Sequence, residues 1–141
     1  VIFALSNPTS KSECSAEQAY KWTNGKGIFA SGSPFDPVEI DGKTHVPGQG
    51  NNAYVFPGVG LGVIASKANR VTDDMFLVAA EIISSSLSQN DLNQGRVFPP
   101  LTQIRDLSLD IAFGISQLEN SGLNKESIRE MMYKAEYQDY V

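Results

Sequence analysis

The 141-residue sequence contains one cysteine, Cys14, and one histidine, His45. A lone cysteine excludes an internal disulfide and a cysteine-rich zinc site, and it fits a reducing compartment, cytoplasm or organelle matrix, better than secretion. With one residue of each kind the chain assembles no His-carboxylate metal cluster, no Ser-His-Asp set and no Cys-His pair. Cations are scarce as well. Eleven Lys+Arg stand against sixteen Asp+Glu, for a net charge of -5, and no run of like charge gathers the cations. Electrostatic binding of nucleic acid is therefore disfavoured. Charged residues make up 19% of the chain, below the usual ~25%, so part of the surface is expected to be covered by other protein. No apolar run approaches the ~18 residues of a membrane span, and no basic, cleavable leader is evident.

The length corresponds to roughly one domain of 100 to 200 residues. The first residues, Val1-Ile2-Phe3-Ala4-Leu5, form a continuous apolar run closed by Ser6-Asn7-Pro8, the pattern of a parallel-sheet strand buried on both faces. Such a strand needs more neighbours than the chain supplies, and the sequence is expected to be the C-terminal piece of a larger protein. Ser15 with Gln18 forms a capping-box signature for a helix to about Asn24. Gly25 and Gly27 end that helix, and Ile28-Phe29-Ala30 reads as a second buried strand before Ser31-Gly32-Ser33-Pro34. Strand, helix and strand make one βαβ unit with a right-handed crossover. The fold class read from these elements is α/β: a fragment of a Rossmann-like, doubly wound parallel sheet followed by helices.

Residues 31–52 lack periodicity and exceed the length of an ordinary connection, which marks them as functional loop. Within them Val38 to Val46 reads as a hairpin turning on Asp41-Gly42, with His45 a surface residue on its flank. Pro57 to Ala65 suits either a strand or a close-packed helix. The helix is preferred, since Pro fits a first turn and the glycines admit a neighbouring backbone. Thr72-Asp73-Asp74 is expected to cap a helix with Phe76, Ala79, Ala80, Ile83 and Leu87 as its core stripe. The acidic pair suits the helix dipole better than a metal. A further helix is expected over about Thr102 to Asn120, carrying Ile104, Leu107, Ile111, Ile115 and Leu118, and a short last helix starts at Asn124.

Two segments match G-x-G-x-x-A, Gly25 to Ala30 and Gly48 to Ala53. A pyrophosphate turn must follow a strand and open a helix. The first match enters a strand, and the second is expected within the long loop, so neither is read as the phosphate site. Ligands of open α/β sheets bind outside the carboxyl ends of the strands. That places Ser6 and Asn7 after the first strand and Ser31-Gly32-Ser33 after the second. The Asn7 carboxamide has two donors and one acceptor and suits a carboxylate, a ribose or a nicotinamide amide. A turn in which Asn7 bonds its own following backbone is the alternative. Asn51-Asn52, behind a glycine-rich segment, carry the same two readings.

Leu5-Ser6-Asn7-Pro8-Thr9-Ser10, then Gly27-Ile28-Phe29-Ala30-Ser31-Gly32-Ser33-Pro34-Phe35, then Pro47-Gly48-Gln49-Gly50-Asn51-Asn52 through Phe56-Pro57-Gly58 resemble the C-terminal part of malic enzyme in order and spacing. The likeness continues through Thr72-Asp73, Gly95-Arg96-Val97-Phe98-Pro99-Pro100-Leu101 and Ile104-Arg105-Asp106. It covers about residues 1–115 and leaves the last 25 or so unmatched. The resemblance implies oxidative decarboxylation of L-malate to pyruvate and CO2, with NAD or NADP and with Mg or Mn, by the intact enzyme, for which a homo-oligomer is expected. It implies that base, acid and metal ligands lie upstream, that Asn7, Asn51 and Asn52 face the substrate, and that Asn7 and Ser6 also face the cofactor. It further implies that residues 1–51 end the nucleotide-binding domain, that 52–120 return to the catalytic domain, and that 121–141 form a C-terminal helix and tail. The competing readings are a non-catalytic interaction or regulatory module on the same fold and a related hydroxy-acid or amino-acid dehydrogenase, which would lack the Gly-Gln-Gly-Asn-Asn loop.

Overall fold

A computed structural model describes residues 1–136. Three short strands, β1 (Ile2–Ala4), β2 (Phe29–Ser31) and β5 (Gly48–Gln49), form a parallel sheet in the order β1-β2-β5. Ile2 pairs with Phe29, Ala4 with Ser31, and Ala30 with Gly48. Helix α1 (Ala16–Trp22) joins β1 to β2, which completes the expected βαβ unit. Its start is the expected capping box: Ser15 Oγ accepts from Gln18 N, and the Gln18 side chain accepts from Ser15 N. The chain leaves α1 through Asn24 and Gly25, both at positive φ.

The third strand was not expected. Gly48 and Gln49 were read as loop because two residues, one of them glycine, carry no hydrophobic period. They pair because Gly48 lies flat against Ala30, whose methyl group would be 3.2 Å from a Cβ added at position 48. The hairpin is present as expected, β3 (Val38–Ile40) antiparallel to β4 (Lys43–His45), turning on Asp41 (φ 50°) and Gly42 (φ 75°). His45, however, is not a surface residue. It is 6% exposed, with its ring 4.7 Å from that of Tyr20. The hairpin folds back onto α1, and its inward positions are set by the pleat and not by polarity.

The central strand β2 is buried on both faces, with Phe29, Ala30 and Ser31 each fully enclosed, whereas β1 is covered on one face only. Ala4 and Phe29 pack with Ala16, Ala19 and Tyr20 of α1, and Ile2, Phe35, Val38 and Ile40 close the edge of this cluster. On the other face Val1, Phe3 and Leu5 are 83%, 52% and 48% exposed. Burial of β1 on both faces is therefore not met within the described residues, although the Phe98 ring lies 6.3 Å from that of Phe3 between centroids.

The second half is helical. A 3-10 turn at Asn52–Tyr54 leads into α2 (Phe56–Ser66), so the Pro-Gly segment is the preferred helix. It is followed by α3 (Asp73–Ser85), α4 (Gln89–Asn93), α5 (Ile104–Leu118) and α6 (Lys125–Glu130). Helix α5 lies at the centre, with Leu107, Ile111 and Ile115 packed against Tyr54 and Val59 on one side and Met75, Ala79 and Ile83 on the other. Two of the three glycines of α2 act as expected: a Cβ on Gly58 would sit 2.7 Å from Ile111 Cβ, and one on Gly62 2.8 Å from Ile115 Cβ, whereas one on Gly60 would meet nothing within 4 Å. The helices can approach this closely only without those methyl groups.

Three helix expectations need correction. The buried stripe of α3 is Met75, Ala79 and Ile83, flanked by Val78 and Ile82, whereas Phe76 is 40% exposed and Ala80 is exposed. The Asp73-Asp74 start fixes the helix but not its rotation, and Phe76 packs edge-on against Phe56 at 6.4 Å instead. Thr72 occupies the N-cap position without a side-chain cap bond, so the cap is electrostatic, through Asp73 and Asp74. On α5, Leu118 is 39% exposed, while Leu109, Ala112 and Ser116 are buried, because α6 and α2 enclose a second side of that helix. Helix α4 was not anticipated, although Ser88-x-x-Asp91 forms a capping box there. Asn124 caps α6 as expected, accepting from Ser127 N at 2.8 Å. The expected tail falls partly outside the described residues. Among those described, no helix is long and apolar enough to cross a membrane.

Candidate functional site

Because β1, β2 and β5 are parallel, their carboxyl ends open on the same side, and three loops leave there: Leu5-Ser6-Asn7, Gly32-Ser33 and Gly50-Asn51-Asn52. Backbone bonds draw the loops together. Gly32 N donates to Ala4 O at 3.1 Å, and Gly50 N to Ser31 O at 2.8 Å. Gly32 is the tightest point, since a Cβ there would lie 2.3 Å from Leu5 O and 3.0 Å from Asn7 Nδ2. The Asn7 carboxamide therefore lies directly over the Gly32 backbone.

The four residues expected at the site are brought to this one strand-end region, but their polar atoms are differently engaged. Asn7 Oδ1 accepts from Ser33 Oγ at 2.8 Å, across 26 residues of sequence. Asn7 Nδ2 has no hydrogen-bond partner among the described residues, and the Asx turn that was the alternative for Asn7 is not formed. Asn51 is occupied at both ends: Oδ1 accepts from Ala53 N at 3.0 Å as the cap of the 3-10 turn, and Nδ2 donates to Gly32 O at 3.4 Å. Asn52 is exposed, with no side-chain partner among the described residues. Ser6 Oγ donates to Glu13 Oε1 at 2.6 Å, and Ser6 N donates to Glu13 Oε2 at 3.3 Å. These bonds, the Ser6 hydroxyl foremost, hold the Glu13 carboxyl below its ordinary pKa.

Gly32 and Ser33 were expected at this strand end, but the bond from Ser33 to Asn7 was not. Glu13 was missed as a member of the region, since nothing local links it to Ser6. The second G-x-G-x-x-A segment also differs from expectation. It is not wholly loop, since Gly48-Gln49 is strand and Asn52 opens a 3-10 turn. Its glycines nevertheless serve packing. A Cβ at Gly50 would meet the Phe98 ring at 3.0 Å and Leu5 Cδ2 at 3.2 Å.

The first match, Gly25 to Ala30, follows α1 and enters β2, as expected. Burial, with the Glu13 carboxylate adding to it, pushes the Cys14 thiol above its ordinary pKa, the direction opposite to an activated nucleophile. Among the described residues no group of three or more His, Cys, Asp or Glu side chains could hold a metal ion. A cavity of about 540 Å³ lies against α3 and α5, lined by Ile82, Phe113 and Gly114 with Glu81, Asp110 and Lys125, and contains no strand-end residue. What the strand-end region offers chemically is a set of uncharged amide donors on a backbone kept bare by glycine, a surface suited to oxygen acceptors.

Comparison with known proteins gives this surface its setting. The family model described as "Malic enzyme, NAD binding domain" matches residues 1–119. An NADP-dependent malic enzyme of Homo sapiens is 53% identical over 148 residues, covering 97% of this chain and 26% of that protein. One of Rattus norvegicus is 61% identical over 118 residues, 83% of this chain and 21% of the relative. A chloroplastic one of Oryza sativa subsp. japonica is 58% identical over 116 residues, 82% of this chain and 18% of the relative. The chain thus spans about a quarter or less of the length of these relatives. With the family match running across both cores, and a parallel sheet whose carboxyl ends carry the asparagine loops, the chain belongs to the malic enzyme family through its NAD-binding domain.

Proposed function

We propose that the chain is part of an enzyme that oxidatively decarboxylates L-malate to pyruvate and CO2 with reduction of NAD(P), and that it supplies the neutral amides of the substrate side. The observation that carries this reading is the pair of open donors, Asn7 Nδ2 and the Asn52 carboxamide, at the carboxyl ends of parallel strands. In the proposed division residues 1–51 close the nucleotide-binding domain, 52–120 belong to the catalytic domain and 121–141 follow as helix and tail. Asn52 then stands at the crossing, where a crevice between domains would bury a small substrate. The matched relatives are named for NADP, and NADP is the dinucleotide this reading favours.

A bound NAD(P) would supply the acceptor for the hydride that leaves C2 of malate. This chain's part is to hold the dianion in place for that transfer. An amide N–H donated to a malate carboxylate is a charge-assisted bond made without placing a second charge in the crevice. Two such donors, leaving from different strands, would set the orientation of the carbon skeleton and reduce the entropy still to be lost on reaching the transition state. The open Asn7 Nδ2 over bare Gly32 also fits the edge of a flat carboxamide-bearing ring, which agrees with a cofactor-side role for Asn7. Ser6 contributes indirectly, since its hydroxyl proton is engaged by Glu13. The described residues hold no group of carboxylates or histidines that fits Mg or Mn, and this reading places the metal ligands outside them.

The test is Asn7→Ala in the complete enzyme. Loss of a hydrogen bond to a charged group amounts to about 1.5–3 kcal/mol, so kcat/KM for malate should fall roughly tenfold to more than a hundredfold. An unchanged kcat/KM with a lowered melting temperature would return Asn7 to a purely structural role.

A further inference from the structure

We propose that Ser33 is a positioning residue for Asn7, its buried hydroxyl anchoring the carboxamide at the substrate-facing surface. The inference rests on the reading that Asn7 faces malate. A carboxamide has two edges of nearly equal size and opposite hydrogen-bonding character, and a half-turn about the last side-chain bond exchanges them. An asparagine at an anion site is useful only in the orientation that presents Nδ2. Nothing in Asn7 itself selects that orientation, because the residue is exposed and follows a short edge strand.

Ser33 is 4% exposed, at the end of β2, and its hydroxyl donates to Asn7 Oδ1 at 2.8 Å. The backbone around the hydroxyl is itself held. Ser33 N donates to Ser31 Oγ at 3.3 Å, and the preceding residue, Gly32, bonds to Ala4 O through its N and to Asn51 Nδ2 through its O. With Oδ1 fastened to a buried hydroxyl, Nδ2 remains the free edge, over the bare Gly32 backbone. The arrangement favours a ligand oxygen that accepts and opposes a ligand amine or amide N–H. Ser33 does not touch the ligand. It acts through Asn7 by anchoring the carboxamide, and so raises the fraction of enzyme ready to bind.

The experiment is a double-mutant cycle in the complete enzyme, with Ser33→Ala made in the wild-type and Asn7→Ala backgrounds and KM for malate, kcat and melting temperature measured for all four proteins. In the wild type, KM should rise about three- to tenfold, as expected when a roughly 1 kcal/mol neutral bond no longer holds the amide. In the Asn7→Ala background Ser33→Ala should leave KM within about twofold, since there is no amide left to orient. An equal rise in both backgrounds, or none in the wild type, overturns the proposal. If Asn7→Ala alone leaves malate kinetics intact, the substrate role of Asn7 has failed, and the positioning role fails with it for that distinct reason. Should Ser33→Ala not fold, Ser33→Thr against Ser33→Val gives the same comparison at equal side-chain size, and only Thr should keep a low KM.

Discussion

Asn51 and Gly32 are joined across β2 and β5 by a bond from Asn51 Nδ2 to Gly32 O at 3.4 Å, while Asn51 Oδ1 caps Ala53. Asn51 therefore stabilises the loop, and its neighbour Asn52 is left free. The two adjacent asparagines should separate on mutation in the complete enzyme. Asn51→Ala should lower stability by about 1 kcal/mol, the usual cost of losing a side-chain cap, and should affect malate and dinucleotide kinetics together. Asn52→Ala should leave the melting temperature nearly unchanged and raise KM for malate selectively. Thermal melts beside initial-rate kinetics decide between this division and an equal role for both residues.

Gly32→Ala should be among the most damaging small changes in the chain. The added methyl would lie 2.3 Å from Leu5 O, a backbone atom, so the β1 loop must move. Overpacking of this kind costs about 1–3 kcal/mol, and the displaced loop carries Asn7. Loss of malate turnover should therefore exceed what the drop in melting temperature explains. Activity measured well below the melting temperature separates the two effects.

Glu13 gives the strand-end loop a pH dependence. Its folded-state pKa lies below the unfolded value because the Ser6 hydroxyl and amide bond the charged form. The latch is thus fully present above the ordinary glutamate pKa of about 4.3, and it is lost as pH falls through the lower folded value. Glu13→Gln should remove that acid-side dependence of cofactor or malate binding while changing little near neutrality, since the carboxyl is exposed and its contribution is small. A pH titration of KM in both proteins checks this. Identical acid limbs would mean that the latch does not shape the site.

His45 belongs to the fold and not to the chemistry. It is 6% exposed against Tyr20, itself 1% exposed. His45→Ala should therefore destabilise the protein by about 1–3 kcal/mol without a selective change in kcat. A loss of kcat at full stability would contradict that assignment.

Much of this was legible in the sequence because local signals agreed with the tertiary result. Ser15 with Gln18, Asp41-Gly42 and Asn124 each specify a cap or turn within four residues, and Gly58 with Gly62 marks a close helix contact. The failures share a cause. The burial of His45, the rotation of α3 onto Met75 and the pairing of Gly48 with Ala30 depend on what lies opposite each residue, which no local period encodes. At the site, Asn7 could be placed at a strand end from the order of elements, whereas Asn52 was read within a loop because the strand before it, β5, carries no hydrophobic period. The bond from Ser33 to Asn7 and the engagement of Asn51 required coordinates, because each joins residues distant in sequence.

If open, uncharged amides at the strand ends meet a malate carboxylate, Asn52→Asp in the complete enzyme should impair malate binding above all. The change keeps volume and replaces a donor by a negative charge. Like charges a few ångström apart in a partly desolvated crevice oppose binding by roughly several kcal/mol. KM for malate should rise by about two orders of magnitude or more, with a smaller change for the dinucleotide and partial recovery at low pH, where the new carboxyl is protonated. Malate kinetics identical to wild type across that pH range would contradict the account.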